Sequence, residues 1–100
     1  MKVPQLEPLL AMARQLDGRP DVEDVFAFVQ SKVESAATPS MGQSVCSQVI
    51  DLCHPKAWGD RMVTGISNIE WCNWLSSLSQ QAEECGHAIY LASSTSSAGA

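Results

Sequence analysis

The most constraining feature of the sequence is the spacing of its apolar side chains, which recur every three or four residues in four separate segments. This interval matches the 3.6-residue turn of an α-helix and gives each segment one apolar stripe. The chain contains no two alternating apolar and polar runs joined by a hairpin turn. We therefore predict an all-α fold, a small antiparallel bundle of about four helices that cover one another's stripes. The clearest stripes are Val22, Val25, Phe26, Val29 and Val33 in the second segment and Trp71, Leu75, Leu78, Ala82 and Cys85 in the fourth.

Glycine and proline separate the first two predicted helices. The first runs from Pro4 or Leu6 to Leu16. It is stopped by Gly18 and Pro20, because glycine accepts the left-handed conformation of a helix cap and proline cannot continue the hydrogen-bond ladder. The second is predicted to begin at Asp21, whose carboxylate can accept hydrogen bonds from the free N–H groups of the first turn.

The third and fourth helices each open with a capping-box pattern, in which a serine is followed three residues later by a glutamine or glutamate. Such a pair can bond reciprocally to the free backbone groups of a helix start, so it marks where each helix is expected to begin. The pairs are Ser40 with Gln43 and Ser67 with Glu70.

The ends of these two helices are predicted from helix breakers. Pro55 ends the third helix and Gly86 the fourth. Between the helices, residues 56–66 show no regular period and are expected to form an irregular connection. Residues 87–92 fit either a short helical extension or a strand, and residues 93–100 form a flexible tail of serine, alanine, glycine and one threonine.

Length and composition indicate one folded domain. The chain has 100 residues, of which 45% are hydrophobic and 17% charged, a balance that is too apolar for a disordered segment. We assign residues 1–92 to a single helical domain, because two halves of such a chain would each be too small to bury a core.

The charge balance argues against direct binding to nucleic acid. Eleven acidic residues oppose six basic ones, for a formal net charge of −5, whereas affinity for phosphates comes from lysine and arginine. The second and third helices have the lengths of a helix-turn-helix motif, but the stretch from Val33 to Pro55 contains no lysine or arginine. We expect a partner that is a larger basic protein or ribonucleoprotein.

The four cysteines do not have the spacing of a zinc site. Structural zinc sites usually draw on close pairs of ligands, whereas six residues lie between Cys46 and Cys53 and twelve between Cys72 and Cys85. Two disulfides would be possible in a secreted chain, but the amino terminus lacks the order of a signal peptide and no apolar run could span a membrane. We predict reduced, buried thiols, no metal or cofactor, and a cytoplasmic location. The cysteines are Cys46, Cys53, Cys72 and Cys85.

No constellation of residues demands catalysis. Cys53 and His54 are neighbours in sequence, but successive side chains on a helix point about 100° apart rather than at each other. A nucleophile also needs a base that a third group orients. We therefore predict that the chain is not an enzyme.

Candidate partner-binding residues are those that the apolar stripes leave outside. Phe28 lies at roughly 240° from Val22 around the second helix, among charged neighbours, although it could instead pack between helices. The acids near Asp21 could steer a basic partner or serve only as helix caps. A tryptophan beside charged residues in the irregular connection is a further surface candidate. The predicted site residues are Asp21, Glu23, Asp24, Phe28, Trp58, Asp60 and Arg61.

In its size, its acidity and its lack of a catalytic motif, the chain resembles the small acidic phage-encoded inhibitors of type I CRISPR-Cas surveillance complexes. The resemblance implies a protein of the host cytoplasm that docks near the basic DNA-binding channel of such a complex and prevents pairing with target DNA. It carries over no site residues, because these inhibitors share no common pattern.

A second hypothesis is a structural or docking helical module that binds a scaffold or assembles with itself. Exposed apolar residues on a small helical chain would serve this role equally well. An inhibitor is expected to be monomeric until it meets its partner, whereas a self-assembling module would show a doubled mass in solution.

Overall fold

The computed structural model describes the backbone of residues 3–99 and the side chains of residues 3–93. Four α-helices follow one another along the chain: α1 over Glu7–Ala13, α2 over Glu23–Ser35, α3 over Pro39–Leu52 and α4 over Asn68–Gly99. Short 3₁₀ turns flank α1 on both sides and precede α2. Within the described backbone there is no strand. The predicted all-α bundle is confirmed.

The four helices turn their apolar stripes toward one core. The most extensive contact joins α3 to α4, and α1 packs against both α2 and α4. The predicted stripes of α2 and α4 are buried, except that Phe26 is only partly covered. Among the described side chains no polar or charged residue is buried, so apolar packing holds the bundle together.

Two of the predicted helix starts are corrected. Asp21 does not cap α2, because its carboxylate accepts a hydrogen bond from the backbone N–H of Thr64 instead. The cap of α3 is Thr38, whose hydroxyl accepts from the N–H of Met41 at 3.2 Å, so Ser40 lies inside the helix. At α4 the serine half of the predicted capping box forms, since the hydroxyl oxygen of Ser67 accepts from the N–H of Glu70 at 3.1 Å. The carboxylate of Glu70 accepts from the Ser67 hydroxyl at 3.2 Å.

The end of α4 differs from the prediction. Gly86 does not stop the helix, which continues to Gly99, and residues 87–92 are its helical extension. Ile89 is buried and continues the stripe beyond Cys85, and this burial outweighs the cost of about 1 kcal/mol for one interior glycine. The backbone of residues 93–99 also belongs to α4, whereas the side chains of the predicted tail from residue 94 lie outside the described part.

None of the helices in the described part of the chain combines the length and the apolarity needed to cross a membrane.

Candidate protein-binding face

The segment that joins α3 to α4, residues 53–67, packs onto the first half of α2 through Trp58. This residue is only 7% exposed, and its ring makes a T-shaped contact with the Phe28 ring, with 5.5 Å between centroids. The carbonyl oxygen of Trp58 accepts a hydrogen bond from the indole N–H of Trp71 at 2.8 Å. The expectation that Trp58 is a surface contact is therefore wrong, because the connection uses it as an apolar anchor.

Two acids, one just before α2 and one within it, hold the segment of residues 53–67 in place. The guanidinium of Arg61 donates to both carboxylate oxygens of Asp24, at 2.9 and 3.0 Å, and to the carbonyl oxygen of Asp21 at 3.1 Å. The carboxylate of Asp21 accepts from the N–H of Thr64 at 2.8 Å. The two acids therefore fix the loop as well as contributing negative charge.

These hydrogen bonds favour the charged forms of the groups involved. The bonds from Arg61 lower the pKa of Asp24, and the bond from Thr64 lowers the pKa of Asp21. The same pairing with Asp24 raises the pKa of Arg61. At neutral pH all three groups are ionised, and the loop is held by charge-assisted bonds.

The loop that these contacts fix displays Met62, which is 93% exposed. Asp60 lies two residues before Met62, and Glu23 lies next to Asp24. The exposed side chains of both acids have no hydrogen-bond or ion-pair partner among the described residues. We use the name α2–loop face for Met62 together with four acids from the loop and from the residues at the start of α2. Those acids are Asp21, Glu23, Asp24 and Asp60.

The structure brings the seven predicted residues together in two segments that contact each other, residues 21–28 and 58–61. Phe28 is partly buried, with its ring beneath the ammonium group of Lys32 at 5.6 Å. Sequence reasoning missed Met62. Its segment has no period, so nothing in the sequence marks the methionine as the side chain that points outward.

Two neighbouring residues that could suggest catalysis are Cys53 and His54. Burial raises the pKa of the Cys53 thiol to about 11, and the Nδ1 atom of His54 accepts from the N–H of Lys56 at 3.1 Å. Among the described residues there is also no group of three or more His, Cys, Asp or Glu side chains that could hold a metal ion.

The α2–loop face thus combines an almost fully exposed methionine with four acidic residues, on a loop that Trp58 and Arg61 hold in place. Comparison of the chain with protein-family models, with curated proteins and with solved structures finds no match.

Proposed function

We propose that this chain is a non-catalytic binding protein whose α2–loop face docks on a basic surface of a larger protein or ribonucleoprotein. The observation that carries the proposal is the 93% exposure of Met62 on a loop that is tied down by Arg61 and Trp58. An apolar side chain with this exposure has no role in the core of its own chain.

A fixed loop favours binding because the entropy cost of ordering it is met during folding and not during association. Met62 then supplies the apolar centre of the contact, since methionine adapts its shape to irregular partner surfaces. The carboxylates of the α2–loop face would speed the approach of a basic partner and disfavour an acidic one.

More specifically, we propose that the chain inhibits its partner by blocking the binding of nucleic acid. A protein that places carboxylates on a basic channel competes with the phosphates of nucleic acid for the same lysine and arginine side chains. We propose an RNA-guided surveillance complex as the partner, with target DNA as the displaced ligand. Prior loading of the complex with target DNA should then prevent the chain from binding.

The test begins by identifying the partner through affinity purification with the full chain from its native host cell. Association with the purified partner is then compared for wild type, Met62→Ser and the double variant Glu23→Lys/Asp60→Lys. These substitutions avoid Asp21 and Asp24, which hold the loop. The matched control is Glu83→Lys/Glu84→Lys, which makes the same change in charge on the exposed side of α4.

We expect Met62→Ser to raise the dissociation rate and Glu23→Lys/Asp60→Lys to lower the association rate, the latter most strongly at low salt. The control pair on α4 should leave both rates near those of wild type. Equal effects of the two charge-reversal pairs would refute the proposed face, and unchanged binding on DNA loading would refute the inhibitory form.

One observation favours the alternative of a self-assembling docking module. Tyr90 is 59% exposed on the far part of α4, where a second copy could cover it. Sedimentation equilibrium of wild type and Tyr90→Ser distinguishes the two roles. A dimer that Tyr90→Ser dissociates would support the module, whereas a monomer at all concentrations would favour the inhibitor.

A further inference from the structure

A recessed surface lies where the turn after α1, the end of the α3–α4 connection and the first turns of α4 meet. Leu16, Val63 and Ile66 form its apolar walls, and Trp74 lies along one side. The cavity has a volume of about 240 Å³. We call it the Trp74 groove, and none of the five residues of the α2–loop face lines it.

The groove presents the carbon surface of its aromatic residues, because both indole N–H groups are already bonded. The Trp71 and Trp74 rings stack with 5.4 Å between centroids and 9° between planes. The N–H of Trp71 donates to the carbonyl oxygen of Trp58, and that of Trp74 donates to Oε1 of Gln15 at 3.0 Å. A ligand would therefore meet an aromatic face here, because the N–H groups of the two rings already donate to other atoms.

The bond to Trp74 also orients the Gln15 amide. An indole nitrogen only donates, so the oxygen of Gln15 must face it and the NH₂ group is left for another acceptor. Gln15 therefore adds a hydrogen-bond donor to the rim of the groove.

Two charged residues line the groove, and only one of them is already engaged. Glu70 accepts from the hydroxyl of Ser67 at 3.2 Å and lies in the first turn of α4, where the helix dipole favours a negative charge. Arg19 has no ion pair or side-chain hydrogen bond within the described part of the chain. Arg19 is thus the charged group of the groove whose side-chain donors are all free to bind a ligand within the described part of the chain.

We propose that the Trp74 groove binds the carboxyl-terminal residue of a partner polypeptide, with a large apolar side chain against Trp74 and the terminal carboxylate on Arg19 and Gln15. The volume is below the range of about 300–1,000 Å³ that encloses whole small-molecule ligands, so a single residue fits it better. A terminal residue offers an apolar side chain and a carboxylate on the same Cα atom. This combination matches the walls and the free guanidinium.

Two acetylated peptides test the proposal: Gly-Ser-Gly-Phe with a free carboxyl group, and the same peptide ending in a carboxamide. Each is titrated into the full ¹⁵N-labelled chain, and the three tryptophan indole signals are followed by NMR. The Trp74→Phe variant assigns the Trp74 signal. We expect the carboxylate peptide to shift that signal and to bind about tenfold more tightly than the carboxamide, the value of a charge-assisted bond.

Arg19→Gln should abolish this preference for the carboxylate. Arg14→Gln is the matched control, because it removes the same charge from an exposed arginine that does not line the groove. Circular dichroism confirms that both variants are folded.

Equal binding of the two peptides to wild type would overturn the proposal, as would equal losses in the two arginine variants. Failure of both peptides to shift the Trp74 signal at millimolar concentration would also overturn it. These outcomes are separate from the charge-reversal test of the α2–loop face, which uses residues outside the groove, so either proposal can fail alone.

Discussion

Arg61 is the residue on which the geometry of the α2–loop face depends. Its side chain is 26% exposed and that of Asp24 is 62% exposed, so solvent weakens their attraction even though the pairing is bidentate. The bond from Arg61 to the carbonyl oxygen of Asp21 adds a further link to the same turn. This side chain therefore joins the loop to α2 and to the turn before it, alongside the Trp58–Phe28 contact and the Thr64–Asp21 bond.

Arg61→Ala should lower the free energy of unfolding by about 1 kcal/mol, because the bidentate pair and the bond to the carbonyl oxygen of Asp21 are lost together. Urea unfolding measures the change. Arg14→Ala is the control, since Arg14 reaches Glu7 only at 3.8 Å and both side chains are more than half exposed. Equal losses in the two variants would contradict an anchoring role for Arg61.

The same contacts predict a dependence on pH. The pKa of Asp24 and that of Asp21 lie below their ordinary value of 3.8 in the folded chain. The stability that these bonds contribute is therefore fully present above pH 3.8 and is lost as the pH falls through the lowered pKa values. Thermal unfolding measured from pH 6 to about pH 2 should show a smaller fall in melting temperature for Asp24→Asn than for wild type. An equal fall in melting temperature in both proteins would contradict this assignment.

The hydrogen-bond partners of these acids could not be predicted from the sequence. Asp21 and Asp24 were predicted to steer a partner or to cap a helix, and the sequence placed them in the correct region. Their partners Arg61 and Thr64 lie 37 and 43 positions further along the chain. Local spacing rules describe only neighbours within a few residues, so this pairing follows from the tertiary fold alone.

Among the elements, α4 is longer than predicted because the packing of Ile89 continues its stripe beyond Gly86. A β-carbon added at Gly86 would lie 3.6 Å from Cβ of Cys46, an ordinary van der Waals distance. Gly86→Ala should therefore raise the free energy of unfolding by about 0.5–1 kcal/mol, the difference in helix propensity between the two residues. Chemical denaturation measures it, and a loss of stability would mean that the α3–α4 contact cannot accept a methyl group.

The α3–α4 connection makes the opposite prediction at Gly59. A β-carbon there would lie 2.6 Å from the Cα atom of Pro55, so the backbone itself would have to move. Gly59→Ala should cost about 1–3 kcal/mol, as overpacking does elsewhere, and should disturb the position of Trp58 next to it. Denaturation and the near-ultraviolet circular dichroism of the tryptophans measure both effects. A neutral result would show that the connection is less closely packed than the structure indicates.

The two glycines illustrate why helices were easier to predict than the connection. The periodic spacing of apolar residues in the sequence predicted the buried stripes of α2 and α4 almost residue by residue. Gly86 was taken as a stop signal because its local preference was judged without the packing of Ile89. The connection has no period at all, so the inward direction of Trp58 and the outward direction of Met62 could not be predicted from the sequence.

For the molecule as a whole, the contact between α3 and α4 is the principal interface. Cys46 on α3 is buried close to Gly86 on α4, next to the buried Cys85. Burial, together with the nearby Cys85, raises the pKa of Cys46 to about 11, and burial raises the pKa of Cys85. Both thiols are thus protected by the same packing that holds the bundle together.

Labelling of these thiols should report opening of the whole bundle. A rise in pKa from 9.0 to about 11 leaves about a hundredfold less thiolate at Cys46 near pH 8, and burial blocks access as well. In a Cys53→Ser/Cys72→Ser variant, which retains the two core thiols, reaction with a disulfide reagent should be slow without urea. Its rate should rise with urea in parallel with global unfolding, because a reagent reaches both sites only when α3 and α4 separate. Rapid labelling in native buffer would instead show that α4 separates from α3 by local opening, without unfolding of the whole bundle.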